Sequence, residues 1–174
     1  DMYEKLWPIF LTAFVLALII TPLAMKLAPK IGAMDVPKDS RRMHTKAMPR
    51  FGGLAIFVGT MASMAIFLNI DKQVTGVMVG GTLIYLLGII DDLKNLSPKI
   101  KFLGQVIIAI LMYEYGLRIE FLTNFFGEGN MAFAGPVSFF LTIIWIVGIT
   151  NAVNLIDGLD GLASSVTLLV AVFF

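Results

Sequence analysis

Long uninterrupted apolar blocks leave this chain few ways to fold. Six of them can be marked along its 174 residues: about Trp7–Ala28, Phe51–Leu68, Val74–Ile90, Phe102–Leu117, Pro136–Ile149, and a last one that begins near Leu162 and is still apolar at Phe174. A helix needs roughly 20 apolar residues, about 17 at the least, to cross a bilayer. Hydrocarbon offers no water to satisfy backbone N–H and C=O groups, so such blocks must form helices. The expectation is an all-α, polytopic transmembrane helix bundle of about six spans, with residues 1–174 forming a single membrane domain. The fourth and fifth blocks are short and must extend into their polar flanks. The sixth offers only Leu162–Phe174 and, with Asp1 at the start, suggests the N-terminal part of a longer protein.

Composition agrees with this. The chain is 58% hydrophobic and 14% charged, against about 45–50% and 25% in soluble domains. A net charge of +1 gives no argument for a nucleic-acid partner. The absence of cysteine excludes disulfides and thiolate metal sites. No small-residue cleavage site follows the first apolar block, so it reads as a retained span.

Basic residues set the orientation. Lys26, Lys30, Lys38, Arg41, Arg42, Lys46 and Arg50 cluster in one stretch, and Lys94, Lys99 and Lys101 in another, against Lys5, Lys72 and Arg118 elsewhere. Positive charge collects on the cytoplasmic side. The N-terminus is therefore expected outside, with loops of about 29–50, 91–101 and 151–161 in the cytoplasm. Residues 118–135 form a longer external connection. There, Ile119–Phe126 reads as a strand and Gly127–Asn130 as a turn, which predicts a short external β-hairpin. Gly76-x-x-x-Gly80 in the third span is helix-packing spacing.

The chemistry-bearing residues fall at the cytoplasmic ends of spans, where ionisable groups are costly. Asp91 and Asp92 are adjacent carboxylates that repel each other unless a divalent cation or a cationic partner intervenes; a solvated helix end with lysine partners is the plain alternative. Asn151, Asn154 and Asp157 recur every third residue and share one face of a helix within an arc of roughly 120°. With Asp160, Gly158 and Gly161 they exceed what a turn needs. Oxygen-only ligands suit Mg²⁺ or Mn²⁺ rather than zinc. The basic loop with His44, Lys46 and Arg50 can hold phosphates, although membrane orientation alone explains most of its charge. Acidic metal ligands and basic phosphate ligands on one membrane face are what phosphoryl transfer requires.

Three stretches carry a specific resemblance: Met48-Pro49-Arg50-Phe51-Gly52-Gly53, Gly88-Ile89-Ile90-Asp91-Asp92, and Asn151 to Ala163. From about Ile31 onward the chain resembles the polyprenyl-phosphate N-acetylhexosamine-1-phosphate transferases, glycosyltransferase family 4. Within that family it is most like the bacterial undecaprenyl-phosphate N-acetylglucosamine-1-phosphate transferases. The resemblance implies Mg²⁺-dependent transfer of N-acetylglucosamine 1-phosphate from a UDP-sugar to a polyprenyl phosphate, with release of UMP, at the bacterial plasma membrane. It implies catalytic roles for Asp91 and Asp92, metal ligation by Asn154 and Asp157, and substrate contacts by Asp157, Asp160, Lys101, His44, Lys46, Arg50 and Asn151. A homodimer would be in keeping with it. Family members carry further spans, another catalytic aspartate and a histidine-rich motif, so the 174 residues alone are expected to be inactive. A direct displacement is favoured, because a phosphate monoester, with a second pKa near about 6, is already largely dianionic. A covalent aspartyl-phosphate route is the rival.

Other readings stay open. The sister transferase that takes UDP-N-acetylmuramoyl-pentapeptide shares the motifs. A CDP-alcohol phosphotransferase needs an Asp-Gly-x-x-Ala-Arg pattern that Asp160-Gly161-Leu162-Ala163-Ser164 does not meet. Membrane prenyltransferases space their aspartates more widely. A transporter would place its acids near the bilayer midplane, and here only Glu114 departs from the span ends, toward the external side.

Overall fold

The structure, a computed structural model, describes residues 2–30, 34–35, 48–49, 52–123, 129–157 and 161–173. Six helices dominate it: α1 (Met2–Leu27), α2 (Gly52–Phe67), α3 (Lys72–Lys94), α4 (Pro98–Glu114), α5 (Gly135–Ile156) and α6 (Leu162–Phe173). Three are long and apolar enough to cross a membrane: Leu6–Leu27 of α1, then α3 and α5. Two more, α2 and α6, are shorter apolar helices. Of the six expected spans, three therefore have full length. α4 has 17 residues, a rise of about 25 Å.

The outer face of the bundle is apolar. Trp7, Phe10, Phe14 and Leu18 of α1, and Phe140, Ile144 and Trp145 of α5, are exposed. A soluble protein avoids large exposed apolar patches; a bundle whose solvent is lipid does not. The interior carries mostly small and polar groups, with Ile108 and Val147 as larger buried side chains. Ala24, Ala55, Gly59 and Ser63 are buried where α1 packs along α2, and small residues let membrane helices approach.

Contacts fix the sense of the middle helices. Phe57 of α2 stacks on Tyr85 of α3 with ring centroids 4.2 Å apart. A Cβ added at Gly81 would meet Met61, and one at Gly53 would meet Tyr85, so α2 and α3 run antiparallel. In the same way Gly76 meets Tyr115, Gly80 meets Met112 and Gly104 meets Leu87, so α4 runs back along α3. The Gly76-x-x-x-Gly80 spacing thus seats α4, as expected of it.

Local chemistry makes the turns. Asp71 caps α3, its Oδ1 accepting from Val74 N at 2.7 Å. α3 closes on Asn95, in the left-handed region at φ 49°, which asparagine tolerates better than most residues. Ser97 caps α4, with Pro98 in its first turn. Only residues 95–97 leave the helices here, so most of the stretch read as a loop over 91–101 is helical. α5 likewise continues past Ile149 to Ile156.

Two antiparallel strand pairs complete the fold. β1 (Met34–Asp35) pairs with β2 (Met48–Pro49), an element that nothing in the sequence announces. β3 (Phe121–Thr123) pairs with β4 (Asn130–Ala132), Leu122 opposite Met131. This is the expected hairpin, with residues 124–128 at its tip outside the described residues. Ile119 N donates to Thr142 Oγ1 at 2.9 Å, which ties the hairpin to α5.

Candidate active site

The site is built where the C-terminal end of α3, the N-terminal end of α4 and the C-terminal end of α5 meet. Asp91 sits in the last turns of α3 and fastens the turn that follows. Its carbonyl accepts from Asn95 N at 2.7 Å, and its Oδ1 accepts from Leu96 N at 3.1 Å. That turn swings α4 back so that Lys101, in its first turns, returns to α3. The Lys101 ammonium donates to Asp91 Oδ2 at 2.7 Å and to Asn154 Oδ1 at 3.1 Å. One lysine therefore joins three helices.

A cleft of about 230 Å³ lies beside this junction. Ile84, Leu87 and Gly88 of α3 give it an apolar wall. Lys101 and Gln105 of α4 face that wall, and Asn154 and Asp157 close the α5 side. Asp157 is exposed at the end of α5, and no described residue pairs with its carboxylate. The acids lie at helix ends and not in mid-span, unlike the ion sites of transporters.

The expected face of three residues on α5 divides. Asn154 and Asp157 line the cleft, whereas Asn151 turns to α4 and donates to Gln105 Oε1 at 2.6 Å and to its own helix at Val147 O, 2.8 Å. The aspartate pair divides too. Asp91 turns to α4, and Asp92 is exposed on the line of α3 that carries Tyr85, seven residues earlier, toward α2. Among the described residues no three His, Cys, Asp or Glu side chains come together as a metal-binding group. His44, Lys46, Arg50 and Asp160 lie outside the described residues. Gln105 escaped the sequence reading, yet it is among the most deeply buried polar side chains of the protein. Its signal was available: an amide in an apolar run, one helical turn from a lysine on the same face.

Comparison with known proteins joins this geometry to a family. The chain is 45% identical over 166 residues to a probable undecaprenyl-phosphate N-acetylglucosaminyl 1-phosphate transferase of Bacillus subtilis (strain 168), covering 92% of this chain and 44% of that protein. It is 32% identical over 171 residues to the decaprenyl-phosphate N-acetylglucosaminephosphotransferase of Mycobacterium tuberculosis (strain ATCC 25618 / H37Rv), covering 92% and 42%. It is 32% identical over 141 residues to the undecaprenyl-phosphate alpha-N-acetylglucosaminyl 1-phosphate transferase of Escherichia coli (strain K12), covering 80% and 38%. The chain thus spans less than half the length of these relatives. No solved structure matches. The model of glycosyl transferase family 4 matches residues 74–174, which takes in every helix of the cleft, and the chain belongs to that family of phosphoglycosyl transferases.

Proposed function

We propose that the complete protein transfers N-acetylglucosamine 1-phosphate from UDP-N-acetylglucosamine to undecaprenyl phosphate. UMP is released, and the product begins a cell-envelope polysaccharide of teichoic acid or O-antigen type. The observation that carries this reading is the Lys101 ammonium, held between Asp91 and Asn154 at the end of an apolar bundle, with Asp157 across the same cleft. The names of the relatives, which pair a polyprenyl phosphate with N-acetylglucosamine 1-phosphate, support it.

In this reaction an oxygen of the lipid phosphate bonds to the β-phosphorus of the donor. The bond from that phosphorus to the bridging oxygen breaks, and its electron pair leaves with UMP. Both reactants are anions, so the work is positioning and charge neutralisation. Lys101 supplies a fixed cation for the phosphoryl oxygens. Both oxygens of Asp91 are engaged, one by Leu96 N and one by Lys101, so Asp91 orients the lysine. Asp92, exposed at the same helix end, is assigned to orienting the lipid phosphate.

The donor set fits Mg²⁺ in kind. Asp157 offers carboxylate oxygens and Asn154 its one oxygen, Oδ1, which also accepts from Lys101, and Mg²⁺ is commonly held by one or two carboxylates together with substrate phosphates, without a cage of protein ligands. When bound there it would neutralise charge on the diphosphate. The site end is assigned to the cytoplasm, where UDP-sugars are found, in a multi-pass protein of the bacterial plasma membrane.

The test is UMP release from UDP-N-acetylglucosamine by membranes carrying the complete protein, with Mg²⁺, with and without undecaprenyl phosphate. Lipid-dependent release abolished by EDTA is expected. Release only from UDP-N-acetylmuramoyl-pentapeptide would reassign the donor, and release from neither, with insertion verified, would overturn the reading.

A further inference from the structure

Gln105 is 2% exposed, yet it lines the cleft. An amide so deep in an apolar bundle is costly unless its atoms find partners. One atom has done so, and its identity follows from valence. The Val147 carbonyl can only accept, so the Asn151 amide atom 2.8 Å from it is the NH₂ group. That NH₂ has a second hydrogen, and the Gln105 atom 2.6 Å away must therefore be Oε1. A backbone carbonyl thus fixes two amide orientations that side-chain shape alone leaves ambiguous.

What remains of Gln105 is Nε2, which donates to no described residue. The buried side-chain atom sealed without a partner, among the described residues, is Ser138 Oγ and not Gln105 Nε2. Nε2 is therefore not sealed in the core, and Gln105 lines the cleft one helical turn from Lys101 on the same face of α4. An ammonium and a neutral N–H donor side by side suit the oxygens of a phosphate or diphosphate.

We propose that Gln105 is a substrate-binding residue whose Nε2–H donates to a phosphate oxygen held by Lys101. Asn151 is the positioning residue that keeps this donor turned to the cleft. The proposal rests on the transferase reading above and shifts Asn151 from touching substrate to acting through Gln105. Both the UDP-sugar and the lipid carry phosphate oxygens, and the kinetic arms distinguish them.

The experiment uses the complete protein in detergent, as wild type, Gln105→Glu, Gln105→Met, Asn151→Asp and the Gln105→Met/Asn151→Asp double variant. Two quantities are measured: calorimetric binding of inorganic pyrophosphate with Mg²⁺, and KM for each substrate from UMP release. Loss of a hydrogen bond to a charged group predicts binding weaker by about tenfold or more in both Gln105 variants. KM should rise for the substrate whose phosphate Gln105 meets. In Asn151→Asp the introduced carboxylate cannot donate, so Gln105 turns its NH₂ toward it and offers an oxygen to the cleft; this variant should show the same loss. The double variant should be no worse than Gln105→Met alone. Unchanged binding and KM in the Gln105 variants, a wild type that binds no pyrophosphate, or additive losses in the double variant would each overturn the proposal. The isosteric Gln105→Glu and Asn151→Asp keep it testable if Gln105→Met does not fold. Pyrophosphate binding without lipid-dependent UMP release would remove the transferase reading and still leave Gln105 to be decided by the binding arm.

Discussion

Asp91 and Lys101 behave as one unit. The carboxylate spends Oδ1 on the backbone of the α3–α4 turn and Oδ2 on the ammonium. Their side chains are 24% and 20% exposed, and a pair in partial contact with solvent adds little to stability. Its value is positional: it holds a cation at the rim of the cleft, facing Asn154. Asp91→Asn keeps an acceptor for Leu96 but removes the charge that holds the lysine, and Lys101→Met removes the cation itself. Each should lower kcat/KM of the complete protein by about 100-fold or more, and the double variant should be no worse than the poorer single one, as for groups that act together. Steady-state UMP release measures this, and multiplicative losses would show that the two act separately. Asp91, Asn154 and Asp157 were legible because they crowd the ends of apolar runs, whereas Gln105, inside such a run, was not. Their partnerships were not legible either. Lys101 and Asn154 are 53 residues apart, and no local period tells which spans are neighbours.

Helix contacts depend on what is missing from certain residues. A Cβ at Gly59 would lie 2.7 Å from the carbonyl oxygen of Ala13 in α1. Backbone cannot step aside as a flexible side chain can, so α1 and α2 would have to part. Gly148 on α5 meets nothing within 4 Å. Gly59→Leu should therefore cost about 1–3 kcal/mol through overpacking, whereas Gly148→Leu should stay within about 0.5 kcal/mol. Thermal unfolding of the detergent-solubilised protein separates the two, and equal melting temperatures would mean that α1 does not pack on α2 at Gly59. The order of the helices and the hairpin could be read from apolar blocks and turn residues. The end of α5 was legible only in part: the spacing of Asn151, Asn154 and Asp157 suits a helix, yet Thr150 and Asn151 also look like the start of a polar loop. The helix runs on since Thr150 Oγ1 and Asn151 Nδ2 bond back to Ile146 O and Val147 O, satisfying themselves on their own backbone. The β1–β2 pair has two residues a side, too few to show alternation.

The antiparallel succession from α2 to α5 sorts the molecule into two ends. One holds the start of α2, the α3–α4 turn, the cleft and the C-terminus of α5. The other holds the α2–α3 turn, the end of α4 and the β3–β4 hairpin. Lys94, Lys99 and Lys101 lie at the cleft end, and the basic residues from Lys26 to Arg50 precede α2 in sequence; Lys72 and Arg118 lie at the other end. By the bias of positive charge, the cleft end should face the cytoplasm. Because the chain has no cysteine, a single introduced thiol reports on its own position. In a complete protein otherwise free of cysteine, Met131→Cys on the hairpin should react with an impermeant maleimide in intact cells. Lys94→Cys should react only in inverted membrane vesicles. Both residues are exposed, so failure to label would reflect sidedness and not burial. The reverse pattern would turn the cleft away from the compartment that holds UDP-sugars and remove the transferase reading. Labelling of both from one side would contradict the antiparallel course of α3 and α4, and with it the junction that brings Lys101 to Asp91.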